Sequence, residues 1–345
     1  MDTLYILQMT WFVLWSVLWS VYFMLDGFVF GMGMLHPFLA KDENEKRAMI
    51  ATVGPVWNGN EVWLVTAGGA TFAAFPTTYA LMFSYLYTAL LLLLFAIIIR
   101  GVSIEFRGKA DGPGWKRMWD AGIFLGSLLP ALLFGVAFGN IFQGLPMDAA
   151  GYHGGLLTLL NPYGLLTGVL FVFLFMVHGA LYVSVKTTGD LSERAAAFAG
   201  RAWLVLLAVA ALFLVQTAFA TALFGNYLKV PALFVVPLLA VACLVLVKVL
   251  TLKNSLLGAF AASCATVVLV SATGVIGLFP NLIPSSLDAA YSMTITNSSS
   301  SRITLSIMTV VALVFVPIVI AYKIWVYRLF SARISPEGMA EEKGY

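Results

Sequence analysis

Residues 54–76 read GPVWNGNEVWLVTAGGATFAAFP, a run apolar enough over its length to enter a bilayer, yet carrying Asn58, Asn60 and Glu61 in its first half. A carboxylate at the centre of a membrane costs roughly 2.5–3.5 kcal/mol on insertion scales, so a chain that keeps one points it at protein, water or a proton route. Gly68, Gly69 and Ala70 follow, a surface with almost no side chain on which a neighbouring helix can pack closely. Asn58 and Glu61 are three residues apart and share a helical face. Glu61 is therefore expected either to be protonated or to meet a partner from another subunit or from water, because no internal Lys or Arg is evident in the other apolar runs.

The same character extends along the whole chain. Of 345 residues, 61% are hydrophobic and 10% charged, with a mean hydropathy of +0.96, which excludes a soluble globular domain. Long uninterrupted apolar runs point to membrane-spanning helices rather than a barrel, whose strands would alternate. Cys243 and Cys264 both fall inside apolar runs, which excludes a disulfide framework or a metal-binding cysteine cluster. The N-terminal MDTLY lacks the basic start of a signal peptide, and the run behind it reads as a retained first span.

Hydropathy and length predict nine spans, near 4–33, 50–74, 79–99, 121–142, 163–185, 202–222, 231–249, 256–277 and 303–326. With the N-terminus outside, seventeen of the nineteen Lys and Arg residues fall on the inner side, Lys229 and Arg302 being the exceptions. The positive-inside rule thus favours a cytoplasmic C-terminus. A single polytopic domain over 1–335 with a short cytoplasmic tail at 336–345 is the expected organisation. Its charged end PEGMAEEKGY reads as disordered, and the NSSSS run before the last span as a flexible linker.

Asp26, near the inner end of the first span, reads either as an interfacial acid paired with a nearby base or as part of a proton path. His36, beside Pro37, is expected to cap that helix, and Arg100 to snorkel at the inner end of the third span. Trp11, Trp15 and Trp19 form a helical stripe of packing or lipid contact. His178, inside the fifth span, reads as an interhelical hydrogen-bonding residue rather than a haem ligand. His153 lies in an outer loop with no second ligand at a matching spacing. No nucleic-acid partner is implied by the net charge of +3.

Several long segments resemble subunit II of the cytochrome bd quinol oxidases. They are the opening stretch, LDGFVFGMGML, RGVSIEFRGK, GNIFQGLP, LLNPYGLLTG, HGALYVSVKTTGDL, FPNLIPSS and MTITNSSSS, in that order. The resemblance implies two four-helix bundles plus one peripheral helix. It also implies a haem-free subunit of an electrogenic quinol:O2 oxidoreductase in a bacterial or archaeal cell membrane. Haems b558, b595 and d are then expected in subunit I, with a structural quinone and a small single-span accessory subunit as further partners beside membrane lipids.

Family members usually carry acids where Val29 and Asn58 stand here, so a proton route through this subunit would rely on Asp26 or Glu61 with water, or run wholly through subunit I. Trp63 matches a residue associated with oxygen access in the family. Catalytic and metal-binding residues are expected only in the partner. From the residues alone, the different-class alternative is a proton-coupled secondary transporter using Glu61 and Asp26.

Overall fold

The computed structural model describes residues 2–340, and almost all of it is helix. Helix α1 (Thr3–Leu39) is followed by the short α2 (Glu43–Val53), then α3 (Trp57–Ala74), α4 (Pro76–Tyr85), α5 (Tyr87–Phe106) and α6 (Pro113–Gln143). Next come α7 (Pro162–Lys186), α8 (Gly189–Ala220), the one-and-a-half-turn α9 (Phe224–Lys229), α10 (Val235–Leu252), α11 (Leu256–Leu278) and α12 (Arg302–Leu329). Eight of the described helical segments are long and apolar enough to cross a membrane. Helix α3 is long enough at 18 residues but falls short in hydropathy, because Asn58, Asn60 and Glu61 occupy its first turns.

Two expected spans are divided. Chain 50–74 breaks at a turn over residues 54–56, because Pro55 has no N–H to continue the helix. The run from 79 is split at Leu86, whose backbone leaves helical geometry between α4 and α5. Helix α1, by contrast, outruns its prediction: it continues through Pro37 to Leu39, so His36 is buried within it instead of capping it.

Helix α1 occupies the centre and packs against α3, α6, α7 and α11. Its approach to α7 is backbone against backbone, since a Cβ on Gly31 would overlap the Phe175 carbonyl and one on Gly179 would strike the backbone of Gly31. Neighbours α5–α6, α6–α7, α7–α8 and α10–α11 pack along their lengths, while α12 leaves nearly all of its apolar surface uncovered. The tryptophan stripe is packing surface. Trp11 Nε1 donates to the Leu305 carbonyl (3.2 Å) and Thr309 Oγ1 (3.0 Å), Trp15 Nε1 donates to Thr71 Oγ1 (3.0 Å), and Trp19 stacks edge-on with Phe134 and Phe138.

One end of the molecule is an ion-paired layer. Arg107 clasps Glu43 with two bonds of 2.9 Å and also reaches Asp120, which Lys46 joins at 2.7 Å; Arg194 pairs with Glu45 at 2.5 Å. Residues 331–335 are docked at this end, and of the tail 336–345, expected to be disordered, 336–340 continue onto it while 341–345 lie outside the described residues. Arg333 donates to the Thr187 carbonyl, Lys186 to the carbonyls of Phe330 and Ala332, and Met339 packs on the core. Lys343, counted among the inner cations, lies outside the described residues.

The opposite end carries the two hairpins β1 (Met147–Asp148) with β2 (Gly151–Tyr152), and β3 (Asn281–Ile283) with β4 (Met293–Thr294). The NSSSS run there is bonded along its length rather than flexible. Thr78 Oγ1 donates to Ser298 Oγ (2.9 Å), Gln8 Nε2 to Ser299 Oγ (2.7 Å), and Ser300 donates its N–H and hydroxyl to the Ala74 and Ala73 carbonyls, closing the end of α3. These serines supply partners that helix termini otherwise lack. Asn161 starts α7 at this end, accepting from the Gly164 N–H (2.8 Å) with Pro162 behind it, and donates to Asn140 Oδ1 (2.8 Å).

Candidate functional site

Three charged side chains from three helices meet in the first half of the bundle. Asp26 of α1, Glu61 of α3 and Arg100 of α5 converge on one guanidinium nitrogen: Arg100 Nη2 lies 2.7 Å from Asp26 Oδ2 and bonds Glu61 Oε1. Asp26 and Arg100 are wholly buried, and the Glu61 side chain is 14% exposed. Arg100 therefore does not snorkel. It is the internal cation that hydropathy left unseen, and Glu61 has a partner within its own chain.

The reason is local. Gly126 of α6 offers no Cβ at the point where the backbone of Arg100 passes, so α5 can press inward there. The guanidinium carbon then sits 4.1 Å over the Phe30 ring, where the ring face attracts the cation. Two carboxylates and an aromatic face offset part of the cost of taking the guanidinium from water.

A second ring of polar groups surrounds the triad. Asn60, fully buried, donates from Nδ2 to the Leu25 carbonyl (2.7 Å), and its Oδ1 accepts from Tyr327 Oη (2.9 Å), with Lys323 Nζ at 3.5 Å. Tyr22 Oη stands 3.5 Å from Glu61 Oε2. Asp26, Glu61, Arg100 and Lys323 together sum to zero formal charge when all are ionised. Among the described residues, both Asp26 oxygens and Arg100 Nε and Nη1 make no directed hydrogen bond, although Asp26 is in ion-pair contact. In that condition the Asp26 oxygens retain capacity for water or a proton, and the guanidinium N–H groups for water.

The sequence-level candidates separate here. Asp26 and Glu61 are brought together, Asp26 wholly buried and the Glu61 side chain slightly exposed. Asn58 stands exposed on the outer face of α3, two residues from the Asn60 amide that does the bonding. Trp63 is buried in the core, while Trp57 donates to Glu105 Oε1 at 3.2 Å. Nothing in the sequence marks Tyr22, Lys323 or Tyr327 as a site residue, and Arg100 and Asn60 are marked only weakly. The single signal for Arg100 was its place at the head of RGVSIEFRGK, and for Asn60 its position in the opening stretch.

The histidines do not form a haem-ligand set. His178 donates from Nε2 to the Met24 carbonyl (2.9 Å), and its Nδ1 meets Ser263 Oγ at 2.7 Å, so both ring nitrogens are engaged between α7, α1 and α11. This is the interhelical role expected of it. His36 faces Asp120 at 3.6 Å, and His153 pairs with Asp148 at 2.8 Å on the exposed hairpin. No group of three or more His, Cys, Asp or Glu among the described residues could hold a metal ion.

The sequence pattern of the cytochrome bd terminal oxidase subunit II family matches residues 7–330, nearly the whole chain. The chain belongs to that family. Subunit 2 of the cytochrome bd-I ubiquinol oxidase of Escherichia coli (strain K12) is 38% identical over 96% of each chain. Subunit 2 of the cytochrome bd ubiquinol oxidase of Bacillus subtilis (strain 168) is also 38% identical, over 94% of this chain and 96% of its own. In fold, the chain superimposes on the bd oxidase from Geobacillus thermodenitrificans with a TM-score of 0.78 at 18% identity, covering 94% of this chain and 98% of that one.

Proposed function

We propose that this chain is the haem-free subunit II of a bd-type quinol oxidase, which passes electrons from quinol to O2 and forms water. The observation that carries the reading is the family match over residues 7–330, and the 38% identity to bd ubiquinol oxidase subunits over nearly full length supports it. Haems b558, b595 and d belong to subunit I on this reading and supply the electron transfer and oxygen chemistry there. His178, engaged at both ring nitrogens, does not suit an axial ligand, and the residues of this chain act by holding shape and charge beside the partner. The transporter alternative is not favoured, since nothing in the family match points to a substrate carrier.

Nine spans, the ninth being the polar α3, form two groups of four with α12 outside, in a bacterial inner membrane. Gathering of the cations into the ion-paired end supports a cytoplasmic C-terminus and an outside N-terminus. Subunit I packs against the face of α3 that bears Asn58, Val65, Gly69 and Phe72. These residues are exposed, and a Cβ on Gly68 or Gly69 would meet nothing within 4 Å, so the middle of this face has no neighbour among the described residues, while Phe72 at its far end meets the Tyr79 ring of α4 (5.1 Å between centroids). A small accessory subunit and a structural quinone remain further partners of the complex.

The triad is the proton-holding part of this subunit. With Asn58 and Val29 unable to exchange protons, Glu61 is the partly exposed member through which a proton would reach Asp26, and Arg100 and Lys323 hold the balancing positive charge. Trp63, buried two residues beyond Glu61, borders the oxygen route. The test of the whole reading is purification of the complex. Copurification with a haem protein, and quinol-driven O2 uptake that depends on this chain, are expected; absence of both would overturn the reading.

A further inference from the structure

A cavity of about 610 Å3 opens at the ion-paired end, between the ends of α7 and α12 and the start of α11. Its size suits a ligand or a head group with part of a chain. The lining combines two chemistries. Leu257, Phe260 and Phe330 are apolar, and Leu257 is 68% exposed, so apolar lining reaches the outer surface of the helices. Lys186 and Arg333 line it too, with the hydroxyl-bearing Tyr182 and Tyr327, and among the described residues no carboxylate does.

Both cations already have structural work, but neither is saturated. Lys186 Nζ donates to the carbonyls of Phe330 and Ala332, leaving its third N–H without a partner among the described residues. Arg333 spends Nε and Nη2 on the Thr187 and Ser184 carbonyls and Ser192 Oγ, and its Nη1 has no partner among them. Carbonyl contacts orient the charges without neutralising them. Two unneutralised cations beside an apolar channel attract an anion that carries a hydrocarbon tail.

We infer that this cavity is a binding site for an anionic phospholipid, its phosphate beside Lys186 and Arg333 and an acyl chain along Leu257 and Phe260. A zwitterionic head group fits less well, because its own ammonium would be pushed against the two cations. The inference rests on the membrane-spanning reading of the chain, but not on oxidase activity. Each cation near an anionic lipid is worth about fivefold in occupancy, or ~1 kcal/mol.

The test is native mass spectrometry of the whole complex, delipidated and reloaded with equal phosphatidylglycerol and phosphatidylcholine. Wild type should retain phosphatidylglycerol at least about fivefold over phosphatidylcholine. Asn254→Asp and Ser331→Glu each add a negative charge at the cavity wall without removing any side-chain bond, and each should abolish that preference. Asn254 has φ 55°, a conformation that Asp also tolerates, so the fold is kept. Equal retention of the two lipids by wild type would overturn the proposal, as would a preference untouched in both variants, competition by inorganic phosphate alone, or retention of a quinone in place of lipid. Oxygen uptake measured on the same samples separates failure of the oxidase reading from failure of this one.

Discussion

Arg100 shows how one side chain can organise three helices. Removing its charge while keeping its volume, as in Arg100→Met, strands Asp26 and Glu61 together in a buried site. A broken buried pair of this kind costs about 3–5 kcal/mol. The expected outcome is loss of assembled complex, or a sharply lowered thermal midpoint, read by the haem content of purified membranes; a complex as abundant and as stable as wild type would remove Arg100 from the centre of the fold. Glu61→Gln keeps an acceptor for Arg100 but deletes the exchangeable proton. It should lower oxygen uptake more than Asn58→Asp does, because Asn58 stands exposed and away from the triad. Equal uptake and haem content in Glu61→Gln would exclude its proton role. His178→Ala should keep every haem absorbance band, since both of its nitrogens already serve Ser263 and Met24; specific loss of one band would make it a ligand. Asp26 and Glu61 were legible in the sequence because an acid in an apolar run is conspicuous. Arg100 was not, because a basic residue at the end of an apolar run looks the same whether it reaches outward to water or inward to two acids.

Elements were legible to the degree that they are apolar and uninterrupted. α7, α11 and α12 lie where hydropathy puts them, while α6 and α8 begin at Pro113 and Gly189, ahead of the expected 121 and 202. The expected second and third spans are each cut in two, at Pro55 and Leu86, because hydropathy averages over a break that backbone geometry cannot. Polar segments misled in the other direction. The serine run looked like a linker by composition, yet its hydroxyls close the end of α3, and bonding of that kind depends on tertiary neighbours. Helix α2 belongs to the same class, a charged element held by its partners. Partial burial pushes the Glu43 carboxyl up, but the Arg107 hydrogen bonds and charge, joined by Lys116, outweigh this and hold it below the ordinary glutamate range. A carboxyl depressed in the folded state stabilises fully above its unfolded value, about 4.3, and loses that contribution as pH falls through the folded value. The thermal midpoint of the complex should therefore drop on acidification below about pH 4.3, and Glu43→Gln should reduce the drop while lowering the midpoint at neutral pH. An acid-side slope identical in wild type and variant would place the pairing outside the stability of the fold.

At the scale of the whole molecule, what is covered and what is bare point in different directions from α1. The centre is sealed: α1 meets α7 backbone to backbone at Gly31 and Gly179, and aromatic rings fill the space toward α6. The outer faces of α3 and α12 are bare and apolar, with Val65 at 73% exposure and Phe72 at 60%. Lipid can cover a bare apolar face as well as protein can, so apolarity alone does not choose between them. Shape does. Glycine at both 68 and 69, in a helix that packs nothing of its own chain there, leaves a shallow groove that lipid tails do not require and a close-packed helix does. A bulky side chain in the groove should then separate folding from assembly. A Cβ at Gly69 meets nothing within 4 Å among the described residues, so with Gly69→Trp the subunit should insert and reach its normal abundance in the membrane. It should nevertheless fail to copurify with the haem-carrying subunit, and quinol-driven oxygen uptake should fall with the amount of complex. Gly225→Trp, also in open space but on α9 at the hairpin-bearing end, is the matched control and should assemble as wild type does. If both variants copurify equally with the haem protein, the α3 face is lipid-covered and subunit I docks elsewhere.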